Sequence, residues 1–196
     1  MEPRIMEIAE RVRGLRDILD YSVEEMAEKT GVTPEHYTEL ENGQHDFGFT
    51  FLFLCAKAFG VDIVELLTGE KPKLSFYSVV RAGKGLPIRR RESFTYQHLG
   101  YRIQNKLAEP FIVTAPYDAE AQDKPIELSY HKGQEFDYVL KGFLKVQLED
   151  HVEVLGEGDA IFYNSGHGHG MIATGEQDCT FLAMVIDEPD GKGEDK

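Results

Sequence analysis

The segment His131-Lys132-Gly133-Gln134-Glu135 puts an imidazole four residues ahead of a carboxylate. Val139-Leu140-Lys141-Gly142 follows it, and Gly158-Asp159 and His169 come further on. Imidazole and carboxylate donors spaced among short apolar runs are how a small β-barrel gathers metal ligands, or a small molecule, in its interior. His167 lies two residues before His169 and shares its face if the strand is regular, which makes it a further candidate ligand. The same alternation puts Asp137 beside Glu135 on the barrel-lining face, where a buried carboxylate needs a cation, a metal or a hydrogen-bond donor next to it.

The elements that would position these groups can be read from the pattern. From Phe76 onward the chain runs in short stretches such as Phe111 to Ala115, Phe136 to Leu140, Phe143 to Leu148, Ala160 to Tyr163 and Thr180 to Ile186, separated by Gly, Pro and Asp. No strong helical period intervenes, so a closed antiparallel barrel or jelly roll is expected. The first seventy residues read differently. Ile5, Ile8, Val12, Leu15 and Leu19 recur at helical spacing. Ser22 with Glu25 forms a capping box that opens a second helix. Gly31 supplies the left-handed turn that ends that helix. Thr33 and Pro34 then start a third helix, which Asn42-Gly43 closes. Phe51, Leu54, Cys55, Ala58 and Phe59 mark a fourth and Ile63 to Leu67 a fifth.

Helix, glycine turn and short helix give the layout of a DNA-reading helix-turn-helix. The pattern Leu15-Arg16, Ser22 to Ala27, Gly31-Val32, Glu41-Asn42-Gly43 and Gly60-Val61 resembles the XRE (Cro/CI-type) helix-turn-helix family over about residues 5–69. The resemblance implies that the third helix enters the major groove, with Thr33, Glu35, Thr38, Glu39 and Asn42 as its DNA contacts. Charge opposes this. The chain carries a net −14, and up to residue 70 six cations face fifteen acidic residues, whereas proteins that grip duplex DNA set Lys and Arg against phosphate. Val23-Glu24 and Gln44-His45-Asp46 stand where such proteins often have Gln or basic residues. A basic strip, Arg81, Lys84, Arg89, Arg90 and Arg91, follows inside an otherwise acidic protein.

Residues 75–187 resemble the cupin superfamily. Of the first cupin motif, His131 fills the second histidine position, Glu135 the glutamate and Gly142 the glycine, while Ser129 stands where the first histidine belongs. In the second motif Gly158, Gly166 and His169 fit their places and Asn164 replaces the usual proline. The resemblance implies a metal set of His131, Glu135 and His169, with His167 a possible fourth. Two imidazoles and a carboxylate suit Fe, Mn, Zn or Ni, and match the facial triad of non-haem iron oxygenases. Ser129, Asp137, Arg102 and Tyr101 are expected at the ligand pocket.

The expected architecture is α+β and multidomain: a five-helix helix-turn-helix bundle over 1–70, a basic linker or edge strand over 71–92, and a cupin (double-stranded β-helix) barrel over 93–187. The first strands of that barrel begin as early as 75, and 188–196 is a polar, disordered tail. Helix-turn-helix plus cupin implies a bacterial transcriptional regulator, a homodimer on duplex DNA that senses a small effector or metal. The alternative is a mononuclear iron enzyme resembling the epoxidase of a hydroxyalkyl phosphonate, its helical domain not binding DNA. No apolar leader or membrane span is apparent, and Cys55 and Cys179 are too isolated for a disulfide framework, so a reducing cytoplasm is expected.

Overall fold

The computed structural model describes residues 5–88 and 94–187. The chain divides into two compact units. One takes in the helices and the segment Tyr101–Asn105; the other takes in the strands from Lys106 onward together with the strand before Gly100.

The helical unit has five helices: α1 (Ile5–Ile18), α2 (Val23–Thr30), α3 (Pro34–Glu41), α4 (Phe49–Phe59) and α5 (Ile63–Thr68). Their ends are where the caps demand. The Ser22 hydroxyl accepts the Glu25 N–H, and the Glu25 carboxylate accepts the Ser22 N–H, closing the capping box. Gly31, at φ 70°, ends α2 in the left-handed region that a side chain enters only at a cost. The Thr33 hydroxyl accepts the His36 N–H, with Pro34 at the first helical position. Val12, Met26, Tyr37, Leu40, Leu52, Cys55, Leu66 and Leu67 form the core. Leu19 falls outside it: α1 stops at Ile18, and Leu19 is exposed in the following turn.

A charged pair lies against that core. Glu41, at the last turn of α3, is buried, and its carboxylate accepts from Arg16 Nε at 2.7 Å and from a terminal nitrogen of Arg16 at 3.2 Å. This bidentate fork ties α1 to α3 and raises the Arg16 pKa, first through the hydrogen bond to Glu41. Arg11 is spent in the same inward sense, donating to the carbonyls of Leu66 and Leu67 at the end of α5.

The described residues form nine strands: β1 (Leu86–Ile88), β2 (Thr95–His98), β3 (Ala108–Ala115), β4 (Gln134–Lys141), β5 (Phe143–Leu148), β6 (His151–Leu155), β7 (Ala160–Asn164), β8 (His169–Thr174) and β9 (Cys179–Ile186), of which β2 to β9 lie in the barrel unit. They make a six-stranded sheet in the order β1-β2-β3-β9-β4-β7 and a three-stranded sheet β6-β5-β8. Alternation sets the faces: Cys179, Phe181, Ala183 and Val185 of β9 are buried, as are Phe111, Val113 and Ala115 of β3 opposite them. Leu144, Val146 and Ala173 supply the buried row of the smaller sheet. Burial pushes the Cys179 thiol up to about 11 and the Cys55 thiol further, so both are inert apolar groups here.

The strands expected from sequence all form. Residues 75–85 add no strand; the first is β1. β2 and β6 were not among the stretches named from sequence: β2 carries polar residues and β6 is an exposed hairpin arm. Arg89 to Arg91 and residues 188–196 lie outside the described residues. No described helix is long and apolar enough to cross a membrane.

The buried pair yields a test. Arg16→Met leaves the Glu41 carboxylate buried without its partner and is expected to cost the helical unit about 3 kcal/mol. Arg16→Met combined with Glu41→Leu is expected to recover most of that loss, as read by denaturant unfolding followed through helical circular dichroism.

Candidate metal centre

Three separate segments bring the barrel's polar groups together. His131 sits in the loop before β4, Glu135 is the second residue of β4, and His169 opens β8. Backbone pairing fixes their relation. Ser129 and His169 exchange two bonds, N–H to carbonyl at 2.8 and 3.1 Å, so the loop carrying His131 runs along the start of β8. The Ser165 carbonyl accepts the His131 N–H at 2.9 Å, and the Ser165 N–H donates to Gly133 at 3.1 Å. Gly133 adopts φ +103°, and a Cβ there would strike the carbonyl oxygen of Ile186. Only glycine lets the chain turn from His131 into Glu135 at that point.

All three side chains are buried, at 4%, 8% and 3% exposure for His131, Glu135 and His169. His131 Nε2 stands 3.3 Å and His169 Nε2 3.8 Å from the same Glu135 oxygen. The imidazole rings are perpendicular, with centroids 5.0 Å apart. Each ring is held from behind: His131 Nδ1 faces the Lys132 carbonyl at 3.2 Å and His169 Nδ1 the His167 carbonyl at 2.9 Å. Those carbonyls hold the proton on Nδ1 and leave the Nε2 lone pairs turned toward Glu135, the outer-sphere arrangement of metal-binding histidines. Burial lowers the His169 pKa and keeps it the neutral ligand that a metal needs. The donor set therefore fits a divalent ion with open coordination positions.

Around the three lie groups that the sequence reading placed only in part. Asp137 is fully buried on the same face; Tyr163 donates its hydroxyl to one Asp137 oxygen at 3.3 Å, and the other oxygen has no partner among the described residues. Burial, then the nearby Glu135, push the Asp137 carboxyl well above its usual range, against the pull of the Tyr163 hydroxyl. Burial thus disfavours the charged form of Asp137 beside the centre. Ser129 keeps its place, with Oγ 3.4 Å from His169 Nε2. Tyr163 packs its ring against His169 at 5.3 Å. The sequence reading did not single out Tyr163, which strand pairing sets opposite Glu135.

Three expected residues are elsewhere. His167 is exposed and turned toward Glu149, its Nδ1 3.7 Å from that carboxylate. Residues 165–168 form a turn and not a regular strand, so the two-residue alternation with His169 does not hold. Tyr101 and Arg102 belong to the helical unit, where the guanidinium lies over the phenol ring at 5.2 Å.

A second buried polar cluster went unforeseen. His98, fully buried on β2, takes the Gly100 N–H on Nδ1 at 2.9 Å, so Nε2 carries the proton and donates to Glu109. Lys106 Nζ lies 3.5 Å from the other Glu109 oxygen. The cluster satisfies its own charges and braces β2 against β3.

On the helical unit, the expected DNA contacts occupy the exposed side of α3. The Thr38 hydroxyl donates back to the Pro34 carbonyl at 2.9 Å, the Thr33 hydroxyl is used as a cap, and Asn42 accepts from Arg13. Glu35 is exposed, and Glu39 is half-buried between two imidazoles, His36 and His45.

The metal centre is expected to fail selectively. His169→Ala should bind at least tenfold less Fe(II) or Mn(II) per chain than the unaltered protein, with the sheet signal intact. Gly133→Ala should lose metal as well, by displacing the His131 loop. Metal content and circular dichroism on the same samples check both.

Comparison with known proteins agrees with these two units. A helix-turn-helix family model matches residues 12–66, and a cupin-domain model matches residues 119–185. No curated protein matches the chain. Among solved structures, an HTH_3-family transcriptional regulator from Vibrio cholerae is similar with a TM-score of 0.66 at 20% identity, covering 94% of this chain and 97% of that one. The hydroxypropylphosphonic acid epoxidase from S. wedmorenis is similar with a TM-score of 0.50 at 21% identity, over 95% of this chain and 100% of that one. An iron(II) form of HppE gives 0.50 at 20% identity, over 93% and 99%. At such identities these likenesses speak for the fold. Residues 12–66 thus carry a helix-turn-helix domain and residues 119–185 a cupin domain.

Proposed function

We propose that the protein is a cytoplasmic transcriptional regulator that binds duplex DNA through α3 and responds to a divalent metal, or to a small effector held at it, inside the cupin barrel. One observation carries this reading above the rest. A complete helix-turn-helix, with its caps and glycine turn, shares a chain with a buried two-histidine, one-glutamate centre. In this reading Thr33, Glu35, Thr38, Glu39 and Asn42 face DNA. His131, Glu135 and His169 hold the metal, with Ser129, Asp137 and Tyr163 lining the space beside it. Two copies reading paired half-sites account for the expected homodimer.

The physics of control is a population shift. An occupant of the barrel moves the equilibrium only by the difference in its affinity for the DNA-competent and DNA-incompetent states, typically 1–3 kcal/mol, or roughly 5–150-fold. The bound metal would supply a Lewis-acidic anchor for an anionic or oxygen-rich effector. The protein's own groups do the rest. Asp137 and Tyr163 offer polar groups beside the centre, and Val139, Phe181 and Val185 are buried apolar neighbours along β4 and β9.

The donor set also favours a second reading. Two imidazoles and a carboxylate with open positions are what mononuclear iron oxygenases use, so an oxygen-dependent enzyme with an architectural helical unit is the competing proposal.

Selection of genomic fragments by the purified chain, with and without added Fe(II), separates the two. The regulator reading expects a recurrent palindromic site whose recovery changes with metal. Enrichment of no sequence, together with metal-dependent oxygen consumption, overturns it in favour of the enzyme.

A further inference from the structure

Two imidazoles meet a carboxylate at a second place, on the helical unit. His36 and Glu39 stand one turn apart on α3, and His45, in the turn after α3, comes back to them. One Glu39 oxygen lies 3.4 Å from His36 Nδ1 and 3.3 Å from His45 Nε2. The three donor atoms all fall within 4.8 Å of one another, and the two rings are tilted at 48° with centroids 5.6 Å apart. Donors about 2.05 Å from a common tetrahedral zinc are separated by about 3.3 Å. Both measured spacings sit at that value, closer to it than the 3.8 Å between His169 and Glu135 in the barrel.

The surroundings favour an ion. The three side chains are about half exposed, at 47%, 45% and 54% for His36, Glu39 and His45, so an ion reaches them without opening the fold and water completes its shell. α3 carries Glu35, Glu39 and Glu41 and no lysine or arginine. Glu41 is answered from within by Arg16. The outward carboxylates have no such arginine on their own helix. With neutral imidazoles, a divalent ion changes the cluster from −1 to +1 on a face otherwise hostile to phosphate.

We propose that His36, Glu39 and His45 form a surface site for a divalent ion of the zinc class, and that its occupancy turns the α3 face from repelling DNA to accepting it. The second half rests on the reading of α3 as the DNA-contacting helix; the metal site does not. It also gives the acidic helical unit a physical route to DNA binding. The missing cations are supplied by an ion, at the point where α3 would meet phosphate.

The test uses the full chain with His131→Ala and His169→Ala, so that the barrel centre does not contribute. Zn(II) is titrated in competition with a chromophoric chelator. One equivalent is expected to bind, and adding His36→Ala and His45→Ala, both at exposed positions, should weaken it at least tenfold. In the unaltered chain, Zn(II) should shift the imidazole nitrogen resonances of His36 and His45, a readout that does not depend on the barrel variants folding. Absence of binding, or binding indifferent to the α3 histidines, overturns the site.

The DNA arm measures affinity for a mixed-sequence duplex at fixed ionic strength. Zn(II) should tighten binding about tenfold through the two added charges, and should do nothing in the His36→Ala, His45→Ala chain. Zinc that binds but leaves DNA affinity unchanged overturns the switch. Failure to hold duplex in either metal state overturns the switch and the regulator reading together, while the zinc stoichiometry still decides the site.

Discussion

Everything in the barrel half turns on holding three polar side chains in one buried place. Unpaired, two imidazoles and a carboxylate in a space lined by Val139, Phe181 and Val185 would be a heavy desolvation cost. The fold meets that cost by pre-orienting them. Ser165 ties the loop of His131 to the turn before β8, Gly133 makes the bend that only glycine allows, and two backbone carbonyls hold the far sides of the imidazoles. The Nε2 atoms then have nowhere to point but Glu135. The donor set fits a divalent ion, whose positive charge would balance that of the buried carboxylate.

The helical half follows a different economy. The three arginines of α1 are consumed inside the unit: Arg16 by the buried Glu41, Arg11 by the end of α5, and Arg13 by Asn42 and the Glu41 carbonyl. The caps and the Arg16–Glu41 fork give a well-determined bundle, but they leave an α3 surface rich in carboxylates and imidazoles. Part of the acidity noted in the sequence therefore lies on α3, the helix proposed to meet DNA, where the His36–Glu39–His45 cluster also stands.

Much of this was legible in the residues. Caps and glycine turns are local, so Ser22, Gly31, Thr33 and Pro34 announced α2 and α3 with their boundaries. The candidate donor set of His131, Glu135 and His169 was legible because its residues fall in two motifs with characteristic spacing. His167 was misplaced because alternation assumes a regular strand, and residues 165–168 turn instead. Arg102 and Tyr101 were misassigned because chain order does not reveal that Tyr101–Asn105 packs with the helices. The Arg16–Glu41 fork, the His98–Glu109–Lys106 cluster and the approach of His45 to His36 all join residues that only tertiary folding brings together; no local rule points to them.

The claim at the centre is that His131, Glu135 and His169 are a metal centre and not merely a buried polar cluster. Anomalous diffraction from crystals grown with Mn(II) or Fe(II) tests it most directly. The account predicts an anomalous peak in the barrel about 2.0–2.2 Å from His131 Nε2, His169 Nε2 and a Glu135 oxygen. A well-ordered barrel with the three side chains in hydrogen-bonded contact and no peak among them, at saturating metal, would contradict it.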